Sequence, residues 1–299
     1  MMDAQAFLRG LDSKAKTFAP SARATFEANE ELCAWLLNPL ARWAEAAYGD
    51  RAFEDAAKGY AKYCLGVWKS QQLYEKTGRY TPETMPELVS EVYEDEGWMV
   101  PYMWAAILIY PFWPSMINHI ALFRDDFLKS VPPGARLLEL ASGHGVMSLL
   151  AAETRSDVHA KGFDISPPAV AVANRLLEVS GHAHRVNFEV KNALELKLTE
   201  SRGAYQGIIA AMLAEHLEDP RPLFTVIAHH LADDGLVFLS TALESAQRDH
   251  TFEFHHESEP VKLAEEVGLR VTRLVSDAGA PAPGGRFLPR ALGMVLCRR

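Results

Sequence analysis

The spacing of apolar residues divides the chain into two parts. Over roughly the first 130 residues they recur every three or four positions, which places them on one face of a helix. This pattern predicts helices over Phe7–Phe18, Thr25–Tyr48 and Arg51–Tyr74, and a further helix from Val89 onwards. Pro39 lacks the amide hydrogen that a helix needs, so we expect it to break or kink the second helix.

From Ala135 onwards, short apolar runs alternate with helical stretches. Such alternation is typical of an α/β fold with a largely parallel, doubly wound sheet. The predicted strands are Ala135–Ala141, Val158–Phe163, Arg185–Val190, Gln206–Met212, Gly235–Thr241, Arg270–Val275 and Leu292–Arg298. The predicted helices of this part are Val146–Thr154, Pro167–Val179, Leu223–Leu231 and Pro260–Val267.

The change of pattern also suggests a domain boundary. With 299 residues the chain exceeds the usual size of one domain. Pro132–Gly134 lies where the helical pattern gives way to the alternating one. We therefore predict a helical domain over residues 1–130 and an α/β domain over residues 131–299.

One uncharged stretch resembles a membrane span. Trp98–Phe123 contains no Asp, Glu, Lys or Arg. Pro101, Pro111 and Pro114 interrupt it, and proline blocks the continuous hydrogen bonding that a lone span requires. We predict a buried, broken helical segment; a dimer interface is the alternative, so a homodimer stays open.

Composition and charge narrow the class of partner. Hydrophobic residues make up 48% and charged residues 23%, as in a soluble globular protein. The net charge of −9 disfavours nucleic acids and anionic membranes, because both are bound by clustered Lys and Arg. The 3 cysteines fit neither a disulfide framework nor a zinc site, and the start of the chain shows no signal peptide. We therefore expect a cytoplasmic protein.

The most informative stretch is Leu137–Gly145, which reads LLELASGHG. A strand that runs into a glycine turn and then a helix aims backbone N–H groups at a ligand. Asp164 ends the next strand, where an acid can accept both hydroxyls of an adenosine ribose. A nucleotide-dependent oxidoreductase would share these features, but Ser148 fits the third glycine of the dinucleotide fingerprint poorly.

From Val131 to Arg299 the chain resembles the class I S-adenosylmethionine-dependent methyltransferases. That family has an acid and then Gly-x-Gly-x-Gly at the first turn. Glu139, Ala141, Gly143 and Gly145 occupy these places, with alanine in place of the first glycine. The sequence AEHLEDP after the fourth strand resembles a stretch common in members that act on small molecules. The resemblance also implies an antiparallel hairpin of the last two strands.

The resemblance implies a cofactor site for S-adenosyl-L-methionine, with S-adenosyl-L-homocysteine as product. Asp164 would bind the ribose, Asn192 and Ala193 would flank the adenine, and Ala211 and Met212 would cover the methionine part. Asn192 also suits an ordinary turn, and Met212 also suits a core. The full predicted set is Glu139, Ala141, Ser142, Gly143, Gly145, Asp164, Ile165, Asn192, Ala193, Ala211 and Met212.

Methyl transfer is an in-line displacement, and it needs a base when the acceptor begins protonated. Histidine has a suitable pKa, so His144 in the turn and His216 after the fourth strand are the predicted catalytic residues. His256 and Glu257 could bind a metal with His216, but adjacent histidines are a poor metal signature. No metal site is predicted.

The helical domain is expected to act as a lid that builds the substrate chamber, as the resemblance suggests. An aromatic lining fits a small, aromatic or apolar acceptor, for instance in specialised metabolism. The predicted substrate-binding residues are Tyr93, Trp98, Tyr102, His216 and His255, although aromatic residues of this kind also build cores. O- or N-methylation is favoured.

Two other functions stay open at this stage. One is an NAD(P)-dependent oxidoreductase, because of the shared glycine turn and acid. The other is a non-methylating protein that keeps the cofactor fold. A nucleic-acid amino-methyltransferase is disfavoured, because the end of the fourth strand reads AAML and not Asn/Asp-Pro-Pro-Tyr.

Overall fold

The computed structural model describes residues 3–81, 83–196, 202–282 and 284–299. The chain is helical up to Leu128. The helices of this part are α1 (Ala4–Lys14), α2 (Ala19–Ala28), α3 (Glu30–Tyr48), α4 (Ala52–Thr77), α5 (Met85–Leu88), α6 (Glu96–Phe112) and α7 (Ile117–Ala121). Turns of π-helix extend α5 over Val89–Tyr93 and α7 over Leu122–Leu128, and Pro114–Met116 forms a 3-10 turn between α6 and α7.

The rest of the described chain folds around a seven-stranded sheet of order β3-β2-β1-β4-β5-β7-β6. β1 to β5 are parallel, and β7 lies antiparallel between β5 and β6. The predicted α/β fold is therefore confirmed. The strands are β1 (Arg136–Leu140), β2 (His159–Asp164), β3 (Val186–Val190), β4 (Tyr205–Ala211), β5 (Leu231–Leu243), β6 (Leu269–Ala278) and β7 (Arg290–Arg298). The helices between them are α8 (Val146–Thr154), α9 (Pro167–Ser180), α10 (Arg221–His230) and α11 (Ser258–Glu266).

This strand order determines where a ligand can bind. The chain proceeds outwards from β1 to β3 and then returns to the middle of the sheet, so β4 lies beside β1. In an open parallel sheet, the loops at the carboxyl ends of such neighbouring strands diverge and leave a crevice. The glycine turn follows β1 at this edge of the sheet.

Several boundaries differ from the predicted ones, and two of the differences have a clear physical cause. α2 ends at Asn29, whose φ of −139° and ψ of 38° are not helical, and α3 continues through Pro39. Of the two outcomes expected at Pro39, a break is therefore wrong and a kink stays a prediction; that residue is buried inside the helix. β5 begins at Leu231 and not at Gly235, because Leu231 pairs with Tyr205 before an irregularity in the ladder. The exposed acidic pair Asp233 and Asp234 hides this early start from an apolar pattern.

The helical part and the sheet share one hydrophobic core. Leu36 of α3, Trp104 of α6 and Leu150 of α8 belong to the same continuous cluster of buried side chains. The helices before Leu128 thus cover the sheet directly, and α6 packs against both α4 and α9. The division into two domains stays a prediction, since the structure supplies no independent core for the first part.

The uncharged stretch forms α6, the 3-10 turn and α7, and most of it is buried. Its predicted burial and interruption are correct. The alternative of a dimer interface stays a prediction. No single described helix is long and apolar enough to cross a membrane. Glu96–Phe112 and Pro114–Leu128 reach that length and hydropathy only as a pair, bent by 85°.

Candidate active site

The turn after β1 has left-handed backbone at three positions. φ is +54° at Ala141, +49° at Gly143 and +69° at Gly145. Glycine adopts this region without steric cost, whereas alanine does so only under strain. A Cβ atom at Gly143 would lie 3.3 Å from Met103 Sδ of α6, so this turn and the helical wall approach each other closely.

Gly145 has a packing role. A Cβ atom there would lie 2.4 Å from Phe188 Cζ in β3, too close for any side chain. Gly145 is also absent from the lining of the cavity described below. Gly145 thus lets the start of α8 lie on the Phe188 ring, and its predicted contact with the cofactor stays a prediction.

Asp164, at the end of β2, joins the turn to the next helix. Its Oδ2 accepts the Gly143 N–H at 2.7 Å, and its Oδ1 accepts the Ser166 N–H at 2.8 Å. Burial raises the pKa of Asp164, although both N–H groups act in the opposite direction. Ser166 caps α9 by accepting the Ala169 N–H at 3.2 Å. Each carboxylate oxygen of Asp164 keeps further acceptor capacity.

Glu139 accepts hydrogen bonds from Ser148, the residue that fits the dinucleotide fingerprint poorly. Its Oε2 accepts the backbone N–H of Ser148 at 3.1 Å and the Ser148 hydroxyl at 2.5 Å. Burial raises the pKa of Glu139 to about 7, partly offset by these two bonds. Glu139 thus ties β1 to α8 while it also lines the cavity.

A cavity of about 450 Å³ opens at this edge of the sheet. That volume lies within the range of about 300–1,000 Å³ typical of ligand sites. All predicted cofactor-binding residues except Gly145 line it: Glu139, Ala141, Ser142, Gly143, Asp164, Ile165, Asn192, Ala193, Ala211 and Met212. The structure therefore brings together segments that are far apart along the chain.

Two of these residues have a specific local setting. Asn192 Oδ1 accepts the Leu194 N–H at 3.0 Å and caps a 3-10 turn, as its alternative interpretation predicted. The Ile165 side chain is 42% exposed although it is large and apolar. It lies at the cavity, where a bound planar group would cover it.

The opposite wall comes from the helices, and the sequence analysis missed most of it. Met99, Met103, Ala106 and Tyr110 of α6 line the cavity at intervals of three and four residues. This interval places them on one helix face, so the spacing was the signal that could have found them. Tyr63, Met85, Tyr93, Tyr102 and Ile109 complete this apolar wall.

Two predicted substrate residues lie outside the cavity. Trp98 packs against Tyr102, with 4.6 Å between ring centroids, and lines a neighbouring groove that shares Tyr63 and Tyr102 with the cavity. The His255 side chain is 47% exposed and lies near Glu244 and Glu253, away from the cavity lining. Tyr93, Tyr102 and His216 do line the cavity, as predicted.

His144 lines the cavity, but it is held as a hydrogen-bond acceptor. Its Nδ1 accepts the Val146 N–H at 3.0 Å at the start of α8. The ring hydrogen of the neutral imidazole must then sit on Nε2, which leaves no free lone pair. Burial lowers the pKa of His144 to about 3. The expected role as a base is therefore corrected.

His216 has the opposite arrangement. Its Nδ1 donates to the Asp249 carbonyl oxygen at 2.9 Å and lies 3.4 Å from Asp249 Oδ2, which leaves the Nε2 lone pair available. Burial by itself lowers the pKa of His216, but Asp249 and Glu215 outweigh it and raise the pKa. His216 as the base stays a prediction.

Three further polar residues join His216 at this end of the cavity. Glu215 precedes it, and Asp249 and His250 come from the segment after β5. The His250 ring lies edge to face with His216, with 4.8 Å between centroids. His255 was the residue predicted at the pocket from that segment, because the sequence does not show which part of the loop folds inwards.

Comparison with known protein families identifies the fold. Residues 112–271, more than half of the 299 residues, match a family described as a methyltransferase domain. The chain belongs to the class I S-adenosylmethionine-dependent methyltransferases. The cofactor of this methyltransferase is therefore S-adenosylmethionine, and the oxidoreductase alternative falls away.

Curated relatives of the methyltransferase include ubiquinone biosynthesis O-methyltransferases. The Xylella fastidiosa (strain 9a5c) protein is 31% identical over 118 residues, which cover 39% of this chain and 46% of the relative. The Ralstonia nicotianae protein is 28% identical over 133 residues, or 44% of this chain and 54% of the relative. The chain thus spans about half the length of the curated relatives it matches.

Solved structures share the fold of the methyltransferase. Mitomycin 7-O-methyltransferase MmcR is 15% identical, with a TM-score of 0.57 over 90% of this chain and 75% of MmcR. Phosphoethanolamine N-methyltransferase 2 of Haemonchus contortus is 14% identical, with a TM-score of 0.55 over 72% of this chain and 60% of that one. The [4+2]-cyclase SpnF is 14% identical, with a TM-score of 0.52 over 77% and 96%. At 14–15% identity, this likeness shows that the fold is shared and shows nothing about the acceptor.

The residues present fit the cofactor of this family. Asp164 offers acceptor capacity to ribose hydroxyls beside a turn where Gly143 presents no side chain. The Ser142 hydroxyl is buried at the cavity without a hydrogen-bond partner among the described residues. A buried polar atom of this kind is costly unless a ligand completes it.

Proposed function

We propose that this methyltransferase transfers a methyl group to a hydroxyl of a small molecule with an aromatic or apolar body. The observation that carries the proposal is the single cavity with two unlike walls. One wall is the turn after β1 with Asp164, and the other is the aromatic and methionine face of α4 and α6. The polar residues Glu215 and His216, which follow β4, also line this cavity.

The chain's residues supply binding, orientation and exclusion of water. S-Adenosylmethionine supplies a methyl group on a positively charged sulfur. Asp164 and the turn after β1 hold the adenosine side, and Tyr63, Tyr102 and Ile109 surround the acceptor's apolar body. Alignment of acceptor and methyl carbon by such walls can contribute a large part of the rate enhancement.

The acceptor oxygen faces Glu215, His216 and His250, which offer acceptors for its proton. The relatives that act in ubiquinone biosynthesis support an oxygen acceptor by analogy. We infer a small molecule, because a cavity of about 450 Å³ under a helical wall does not admit a folded macromolecule.

The test is a methyl-transfer assay with isotope-labelled S-adenosylmethionine and three acceptor sets: phenols with adjacent hydroxyls, aromatic amines, and no acceptor. We expect label in the phenol products. His216→Ala should lower turnover about a hundredfold while affinity for S-adenosylhomocysteine is unchanged. His159→Ala, an exposed histidine at the amino end of β2, is the matched control and should leave both unchanged.

Label in amines alone would overturn the choice of oxygen. Conversion of an added compound without gain of methyl, together with cofactor binding, would favour the non-methylating alternative.

A further inference from the structure

Four titratable residues, three of them buried, meet at the polar end of the cavity. Glu215 and His216 follow β4, while Asp249 and His250 lie in the segment after β5. Glu215, Asp249 and His250 are almost fully buried, and the His216 side chain is 14% exposed. Burying two carboxylates so close together is costly unless positive charge compensates them.

Three of these residues bring one possible ligand atom each close together. One nitrogen from His216, one from His250 and one carboxylate oxygen of Glu215 all lie within 4.8 Å of one another. The ligand atoms of a tetrahedral transition-metal site are about 3–3.5 Å apart, since each bond is about 2.0–2.2 Å long. Small side-chain rotations would therefore bring these three atoms to a common ion.

Hydrogen bonds around the group orient each donor. The Nδ1–H of His216 bonds the Asp249 carbonyl at 2.9 Å, and that of His250 bonds the Ser245 carbonyl at 2.6 Å. Both Nε2 lone pairs therefore stay available. Metal-binding histidines typically use their other ring nitrogen in this way.

The carboxylate is arranged in the same manner. Thr241 Oγ1 donates to Glu215 Oε2 at 2.7 Å. Glu215 lines the cavity, and its Oε1 is buried without a hydrogen-bond partner among the described residues. An acceptor left unpaired at such a depth indicates that something absent from the polypeptide completes it.

We propose that Glu215, His216 and His250 bind one divalent transition-metal cation such as Zn²⁺, Mn²⁺ or Fe²⁺. Two imidazoles and one carboxylate suit these ions, whereas Mg²⁺ and Ca²⁺ prefer oxygen ligands only. Three protein ligands also leave coordination positions open towards the cavity. The ion would neutralise the buried Glu215 and Asp249 carboxylates.

The ion would also act on the acceptor, and this step rests on the proposed function. A hydroxyl that coordinates a divalent cation loses its proton more readily. Its lone pair forms the new bond to the methyl carbon, the bond between carbon and the cationic sulfur breaks, and the electron pair goes to sulfur. Since the ion would occupy the Nε2 lone pair of His216, the hydroxyl proton leaves to solvent through the cavity mouth, and the ion takes over the part of the proton acceptor in lowering the pKa of the hydroxyl.

The experiment uses tag-free full chain, freed of metal with a chelator, and titrates it with Zn²⁺ by calorimetry and with Co²⁺ by visible absorption. We expect one equivalent of each ion to bind. Glu215→Gln and His250→Ala should weaken binding at least about tenfold. His159→Ala is the histidine control, and thermal unfolding together with S-adenosylhomocysteine binding checks that each variant is folded.

Absence of one-to-one binding, or equal affinity in His250→Ala and the unaltered chain, would overturn the site. Full methyl transfer by metal-free protein would overturn the link between ion and acceptor. Metal binding without methylation of any acceptor would instead count against the proposed function, so the two failures are distinguishable.

Discussion

The two ends of the cavity satisfy their polar groups differently. At the cofactor end, Asp164 accepts two backbone N–H groups and Glu139 accepts both polar groups of Ser148. At the acceptor end, Glu215 Oε1 and Asp249 Oδ2 are buried without a hydrogen-bond partner among the described residues. The buried carboxylates of the first end are thus paired within the chain, and those of the second end each keep an oxygen without a hydrogen-bond partner.

This difference suggests that one end of the cavity is built to bind the cofactor and the other end to act on the acceptor. Internal hydrogen bonds hold the cofactor end in one geometry before any ligand arrives, which reduces the ordering that binding must impose. An unpaired buried polar atom costs about 1–3 kcal/mol, so a group of them is expected only where a ligand or ion pairs with them. We therefore locate the reaction's specificity at the acceptor end.

The largest expected effect tests whether the cofactor end depends on tight packing. In Gly145→Ala the new methyl group would lie 2.4 Å from the Phe188 ring at a residue with φ of +69°. We expect a loss of about 3 kcal/mol in the free energy of unfolding, measured by denaturant titration. Gly181→Ala has φ of +81° but nothing within 4 Å, so it reports strain alone.

Equal losses in the two glycine variants would contradict the packing role of Gly145. Phe188→Leu, combined with Gly145→Ala, should recover part of the lost stability, because a smaller side chain makes room for the methyl group.

A smaller effect is expected for Asp164→Asn, which should lower the affinity for the cofactor without unfolding the chain. Asp164→Asn keeps the shape of the side chain but replaces one acceptor oxygen with a donor facing Gly143 or Ser166. We expect affinity for S-adenosylhomocysteine to fall about tenfold or more by calorimetry. Zn²⁺ affinity at the other end should stay the same, and unchanged cofactor affinity would remove Asp164 from the site.

The smallest effect concerns pH and His144, which lies between the two ends. Burial lowers its pKa from 6.5 to about 3 in the folded chain. Its contribution to stability is therefore fully present above pH 6.5 and is lost as the pH falls towards 3, because the unfolded chain takes up the proton first. Near pH 5.5 the loss should be about 1 kcal/mol.

His144→Asn should therefore show a smaller loss of stability between pH 7.5 and 5.5 than the unaltered chain, in urea titrations at each pH. His159→Asn is the control on an exposed histidine. An identical pH dependence in His144→Asn and the unaltered chain would contradict the buried, neutral state of His144.

The cofactor end was predictable because its residues lie in one short stretch and at the ends of successive strands. Glu139 to Asp164 spans β1, α8 and β2, and local patterns of glycine, acid and apolar run reveal all three elements. That pattern could not show which residues of the stretch pack against other parts of the chain and which face the ligand. Gly145 packs on Phe188 of a later strand, and Glu139 pairs with Ser148.

The acceptor end was only partly predictable. Tyr93, Tyr102 and His216 were expected at the pocket, whereas Trp98 and His255 lie outside it. Trp98 lies one helical turn before Tyr102 on the same side of α6, packs against its ring and borders the neighbouring groove instead of the cavity. The segment after β5 carries three histidines, and its sequence does not show which of them turns inwards.

By itself, the sequence determined the succession of helices and strands, the parallel sheet and the cofactor edge, because all of these depend on residue spacing along a short range of chain. Only the tertiary structure decided which distant residues share the cavity. Glu215, His216 and His250 come from two loops joined by the whole of α10 and β5. Their convergence depends on strand order and on the path of a loop, and neither of these produces a regular spacing of residue types along the sequence.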